Sequence, residues 1–408
     1  MSDRGTDVFV SYRREDGAVL AEALAAELSS GGFGVFFDKR SIRGGSHFPE
    51  EIRRAVSTTR EFVALVTPAY LGEGRAGVRR AEDPADWVHQ ELVGALEAEG
   101  VHVIPVVVDG APPTPEELPP ALAGICELSC IEFDTRTDTI DLLVDQLKHS
   151  FCQETLESAL VGSISRELDG VNPNDDTSFN VACKAISVHV KTDRDLEALR
   201  RILGARDSRG DYRYADDHRF AAFYTLFSYY RRSHRTTELV ELVEAHRTEF
   251  NRFHFFSYAA TECCSIRATL AIDREERLGL LARAVEYARD AAERLPNNAG
   301  IQHSFCLVVV TALEDGLAVS EDDLDRALSS AEELVVSKPD YARYQSTYAR
   351  LLARIGRFDE ALARIGRAIA LEEPSHQDWA LRVASYYRDE VVIRLARAEA
   401  QGALATRD

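Results

Sequence analysis

The first 160 residues read as an α/β domain built on a parallel five-stranded sheet, and residues 181–408 as an all-helical half made of stacked pairs. Three observations predict this. Short apolar runs alternate with amphipathic stretches as far as about residue 150, the pattern of β-α units around a parallel sheet. Residues 162–180, GSISRELDGVNPNDDTSFN, are rich in Gly, Asn, Asp, Ser and Pro and lack apolar periodicity, so 161–180 reads as a linker. Beyond it strand signals cease and helical periodicity continues to the end.

The apolar runs DVFVSY (7–12), FGVFFD (33–38), FVALVT (62–67), VHVIPVVV (101–108) and CIEFD (130–134) are the strands, because buried parallel strands are continuous β-branched and aromatic runs. GAVLAEALAAELSSGG, between the first two, has helical spacing and a Gly31-Gly32 stop. PEEIRRAVSTTR and WVHQELVGALEAEG supply two more helices, and DTIDLLVDQLKHSFCQETLESAL reads as one long final helix. Strands so connected make a flavodoxin-like sheet, whose ligands bind beyond the carboxyl ends of its strands.

In the second half LEALRRILGA, FAAFYTLFSYYRR, TELVELVEAHRTEF, LLARAVEYARDAAERL and LDRALSSAEELVVS are successive helices. The stretch TYARLLARIGRFDEALARIGRAIALEEP resembles a tetratricopeptide (TPR) repeat at Ala349, Gly356, Phe358, Ala361, Ala368 and Pro374. Pro296 and Pro339 close helix pairs upstream. Such pairs cannot bury their apolar faces alone, so they stack into a TPR-like solenoid with a concave surface. The aromatic residues of FAAFYTLFSYYRR and FHFFSYAA are then helix–helix core.

Composition narrows the function. Hydrophobic residues make up 45% and charged residues 28% of 408, as in globular proteins. No stretch approaches the roughly 18 apolar residues of a membrane span. The segment MSDRGTDVFVSYRRED lacks a secretory pattern, so a cytoplasmic location is expected, with no membrane partner. A net charge of −20 opposes nucleic-acid binding, which runs on cations neutralising phosphates. The seven cysteines, at 126, 130, 152, 183, 263, 264 and 306, lack zinc spacing, and the histidines lack metal spacing too. No metal site is expected. No G-x-G-x-x-G follows the first strand, which disfavours a redox use of a dinucleotide.

One constellation carries chemistry. Asp83 before Pro84, with Asp86 three residues on, predicts a helix start. Trp87 and Glu91 are then i and i+4, an indole and a carboxylate on one face, at the carboxyl end of the sheet. An arbitrary W-x₃-E is more often a core aromatic and a solvated acid. Here DVFVSYRRED, FGVFFDKRSIRGGSHFPEEIRRAV, EFVALVTPAYL and DWVHQELVGAL, in this order and register, resemble the Toll/interleukin-1 receptor (TIR) domain over roughly residues 5–150. The strings SYRR and DWVH-x-E are similar to those of the animal axon-degeneration NAD hydrolases within that family.

The resemblance implies an NAD glycohydrolase, an NAD nucleosidase giving nicotinamide and ADP-ribose or a cyclised variant. Glu91 would be the catalytic carboxylate. Tyr12, Arg13, Arg14, Asp38, Phe48 and Trp87 would bind substrate, with Trp87 and Phe48 stacking on rings and Arg13 and Arg14 at the diphosphate. A surface ion-pair role for the two arginines stands beside that reading, and an aspartate placed like Asp38 more often caps a loop than binds substrate. The loop SIRGGSHF is one residue longer than in those relatives and places Arg43 where they have an acid. NAD is then substrate and no cofactor is needed. Members of the family commonly act through TIR–TIR self-association, and the helical half would sense a protein or small-molecule trigger in an immune or cell-suicide effector. The competing reading is a noncatalytic TIR scaffold recruiting partners through its TIR and repeat surfaces.

Overall fold

The computed structural model describes residues 7–37, 48–70, 72, 79–372 and 379–405. Met1–Val171 and Val181–Thr225 form one compact unit, and Asn172–Asn180 with Leu226–Asp408 a second.

The first unit holds five parallel strands, β1 (Val8–Ser11), β2 (Val35–Phe36), β3 (Glu61–Val66), β4 (His102–Val108) and β5 (Ile131–Phe133), in the order β2-β1-β3-β4-β5. This is the doubly wound flavodoxin-like order. Helices α1 (Ala18–Ser30), α2 (Phe48–Thr58), α3 (Trp87–Glu97) and α4 (Ile140–Ser150) connect or cover the strands. Every residue of β3 is buried, which explains why EFVALV is a continuous apolar run after its first residue. Phe9 stacks on Phe36 (5.0 Å) and on Phe62 (5.2 Å) in a cluster with Val56 of α2 and Val88 and Leu92 of α3. Side chains alternate along a strand, so Ser11, two residues after Phe9, faces these helices too.

Three local expectations are corrected. The second strand, expected over 33–38, pairs only at Val35–Phe36, as befits a sheet edge. The long helix expected over 138–160 is broken into α4 and α5 (Gln153–Glu167), with Phe151 and Cys152 extended between them. The cause lies far away in sequence. Glu61, fully buried at the start of β3, accepts from the Cys152 N–H at 2.7 Å and the Thr155 hydroxyl at 2.9 Å, and meets His102 at 2.9 Å. Cys152 is thereby held as the residue before a helix start, whose free N–H groups need an acceptor. The linker expected at 161–180 is largely helical, because α5 runs to Glu167 and α6 (Asp176–Val188) begins soon after.

Helix α5 and α7 (Asp193–Gly204) are part of this unit rather than of a separate helical domain. Gly32 has φ +94°, and a Cβ there would overlap the carbonyl oxygen of Ala159 on α5. Arg194 of α7 donates to the carbonyls of Lys148 (3.1 Å), His149 and Phe151 at the end of α4. Lys148 in turn pairs with the buried Asp195 at 3.1 Å.

Helix α8 (Asp216–Arg232) spans the division between the units, and the second continues through α9 (Thr236–Ala245), α10 (His254–Leu270), α11 (Arg274–Arg294), α12 (Ala299–Glu314), α13 (Glu321–Ser337), α14 (Ala342–Arg354), α15 (Phe358–Leu371) and α16 (Trp379–Ala405). Neighbouring helices from α9 to α16 pack mostly in sequence, and α12 also meets α14, and α14 meets α16, the stacking of a repeat array. Asp273, Asn298 and Ser320 cap α11, α12 and α13 by accepting from backbone N–H groups. The TPR-like stretch is the α14–α15 pair. Ala349, Ala361 and Ala368 are fully buried where the helices meet, and Gly356 turns the chain at φ +80°. Phe358 begins α15 and packs, partly buried, against this core, and Pro374 lies outside the described residues. Phe220, Phe223, Phe227, Phe255 and Phe256 are buried core, as the sequence indicated. No helix among the described residues is long and apolar enough to cross a membrane.

Candidate active site

At the carboxyl end of β1 the chain turns under α3. The cap of α3 is Asp86, whose Oδ1 accepts from the His89 N–H at 3.1 Å. The expected helix start at Asp83 and Pro84 is thus displaced, with Asp83 closing a turn to the Ala85 N–H at 2.9 Å. What selects Asp86 is Arg13, which pairs with it at 2.8 Å and donates to the Tyr70 carbonyl at 3.1 Å. Burial alone would raise the Asp86 carboxyl, but the Arg13 hydrogen bond and the helix N–H groups outweigh it and hold it below the usual range.

Trp87 and Glu91 then project from one face of α3 into a cavity of about 380 Å³, which Gln90 and Gly94 of the same helix also line. These positions are i, i+3, i+4 and i+7, a single helical face. The opposite wall is α2, through Arg53, Arg54, Val56 and Ser57. Trp87 is 41% exposed.

The carboxylate is fixed from beneath. Ser11 Oγ donates to Glu91 Oε2 at 2.8 Å, and the Tyr70 hydroxyl lies 3.4 Å from Ser11 Oγ. Because Ser11 spends its proton on the carboxylate, Tyr70 is left to donate to Ser11. Burial drives the Tyr70 phenol well above its ordinary pKa, the Ser11 hydrogen bond opposes this, and the Glu91 charge adds to it. Tyr70 therefore stays a neutral donor at neutral pH.

Of the residues expected to bind substrate, the structure brings Trp87 to Glu91. Arg13 is 6% exposed and held by Asp86 and the Tyr70 carbonyl, the ion-pair role that stood beside the diphosphate reading. Tyr12 stacks on Phe37 at 5.3 Å, and Arg14 is exposed beside it. Asp38, Arg43 and the Phe48 side chain lie outside the described residues. Sequence reasoning missed Ser11, Tyr70, Arg53, Arg54 and the capping role of Asp86. Strand alternation from Phe9 was the one signal that could have found Ser11. Among the described residues no group of three or more His, Cys, Asp or Glu side chains is placed to hold a metal, and the cysteines are free thiols.

Residues 8–147 match the TIR domain family model, and the five-stranded parallel sheet with its connecting helices lies within them. That part of the chain is a TIR domain. It is similar to the NAD(+) hydrolase SARM1 of Danio rerio, 30% identical over 158 residues, covering 38% of this chain and 21% of that protein. It is likewise similar to the NAD(+) hydrolase sarm1 of Drosophila melanogaster, 32% identical over 143 residues, covering 35% of this chain and 10% of that protein. The chain therefore spans about a fifth or less of these relatives. Among solved structures, a thermophilic TPR protein of Thermus thermophilus aligns at 22% identity and a TM-score of 0.33, covering 51% of this chain and 94% of that one.

Proposed function

We propose that the chain is an NAD glycohydrolase that releases nicotinamide and leaves ADP-ribose or its cyclic form. The observation that carries this reading is Glu91, oriented by Ser11 and opening into one cavity with the exposed Trp87. The resemblance to NAD(+) hydrolases over the same residues supports it.

The chemistry fits a single carboxylate. Most O-glycosidases need a second acid to protonate the leaving oxygen. In NAD the leaving nitrogen is already cationic. The C1′–N1 bond breaks with both electrons passing to nitrogen, nicotinamide departs neutral, and the positive charge moves onto the ribose. Glu91, aligned by Ser11, faces that developing charge and accepts from the ribose hydroxyls. Trp87 stacks on the pyridinium ring, an attraction of roughly 0.5–2 kcal/mol. Water then adds to C1′ and gives its proton to solvent, or a ring nitrogen of adenine adds instead and closes the cyclic product. NAD is consumed as substrate, without a separate cofactor.

In this reading TIR–TIR association switches the enzyme on, and the stacked helices hold the trigger-binding and assembly surfaces of a cytoplasmic immune effector. The test is chromatography of products after incubating the full chain with NAD, dilute and under crowding. Glu91→Gln should abolish nicotinamide release. Equal behaviour of wild type and variant in every condition would sink the enzymatic reading. The exposure of Trp87 also suits a noncatalytic docking surface. That reading predicts no turnover and loss of self-association in Trp87→Ala, measured by sedimentation.

A further inference from the structure

We propose that Arg53 and Arg54 of α2 form the diphosphate subsite of the cavity that holds Glu91, an assignment that rests on the dinucleotide reading above. Both arginines line the cavity, across from the α3 face that carries Trp87, Gln90 and Glu91. Both are exposed, and among the described residues neither side chain enters an ion pair. Nearby arginines differ in this respect: Arg13, Arg60, Arg79 and Arg80 each hold a carboxylate. The backbone carbonyl of Arg54 accepts from the hydroxyls of Ser57 and Thr58.

Two adjacent guanidinium groups repel one another, and an anion bridging them relieves that cost. Their planar forks match phosphate oxygens in paired hydrogen bonds. The ligand chemistry is set by what shares the cavity. A carboxylate suited to ribose hydroxyls and an indole suited to a flat ring lie on α3, and packed helices run about 8–10 Å apart. An anion carried a few bonds from that ribose therefore reaches α2. A chain with a net charge of −20 needs such a local cationic site to draw in a diphosphate. With Arg13 locked to Asp86, α2 supplies it.

The test is calorimetric titration of the full chain with ADP-ribose, which carries the diphosphate but is not cleaved. Arg53→Gln/Arg54→Gln should weaken binding about tenfold or more and flatten its dependence on salt, while binding of nicotinamide riboside, which has no phosphate, changes less than about twofold. Arg53→Lys/Arg54→Lys should recover part of the loss. Unchanged ADP-ribose affinity in the glutamine variant, absence of ADP-ribose binding by wild type, or an equal loss for nicotinamide riboside would each overturn the assignment. If NAD is nevertheless cleaved by wild type, the hydrolase reading survives alone. If ADP-ribose binding depends on the arginines but NAD is never cleaved, the subsite survives alone.

Discussion

The Ser11 hydroxyl donates to Oε2 of Glu91 at 2.8 Å, joining the last residue of β1 to α3 across 80 positions of sequence. This bond holds the carboxylate in one orientation before any ligand arrives. A hydrogen bond to a charged group contributes roughly 1.5–3 kcal/mol, equivalent to about ten- to a hundredfold in rate. On the proposed NAD-cleaving reading, Ser11→Ala should therefore lower kcat by that factor while KM shifts little, because the stacking assigned to Trp87 is left intact. An unchanged kcat in steady-state assays would show that Ser11 does not orient the acid.

The Arg13–Asp86 pair should act as a unit. Side-chain exposures are 7% and 18%, and removing one partner of a buried pair costs about 3–5 kcal/mol. Asp86→Ala also loses a helix cap, worth about 1 kcal/mol. Chemical denaturation should find the double variant less destabilised than the sum of the singles. Because the folded Asp86 is more acidic than the unfolded one, its stabilisation is complete above the unfolded value of about 3.9. It is lost as pH falls through the lower folded value. Asp86→Asn should thus flatten the loss of stability below about pH 4.

Two glycines with positive φ should respond unequally to alanine. Gly356, at φ +80° with open space around it, should cost about 1–2 kcal/mol from backbone strain alone. Gly32→Ala meets the same strain and an overlap with the Ala159 carbonyl, so a further loss of about 1–3 kcal/mol from overpacking is expected. Unfolding midpoints compare the two directly. Equal effects would mean that α5 can shift away from Gly32 freely.

Periodicity made the sheet legible, and it found Trp87 and Glu91 because both sit on a regular helix. It failed where a distant residue decides a local question. The apolar spacing of 138–160 runs on through Phe151 and Cys152, and nothing within those residues reveals that Glu61 will interrupt it. Asp83 and Asp86 are equally good caps by composition, and the choice falls to Arg13 on another element. Arg53 and Arg54 look like an ordinary solvated helix face until α3 is packed opposite them. Residues 161–180 have a linker's composition, yet α5 extends into them because its inner side is buried against the sheet domain.

Glu61→Gln should loosen the attachment of α5. The amide replaces the charged acceptor of the Cys152 N–H and the Thr155 hydroxyl by a neutral one, and toward His102 it turns from acceptor to donor, so the imidazole must present an unprotonated Nδ1 there. A loss of about 1 kcal/mol is expected, the difference between hydrogen bonds to charged and to neutral groups. Hydrogen exchange should quicken at the amides of Cys152 to Leu156 and leave α3 protected. Uniform acceleration across the TIR domain would instead indicate general unfolding.

The place of Glu61 bears on how a displacement of α5 is transmitted through the sheet. It stands at the amino end of β3, whereas Ser11 and Glu91 meet at the carboxyl end of β1, so the attachment of α5 and the Glu91 cavity occupy opposite rims of one sheet. Six residues of fully paired strand, about 20 Å long, lie between those rims. A beam of that kind transmits rotation and displacement of the whole body but little bending. A displacement of α5 is accordingly carried to the Glu91 rim as motion of the whole sheet, without altering that rim's shape.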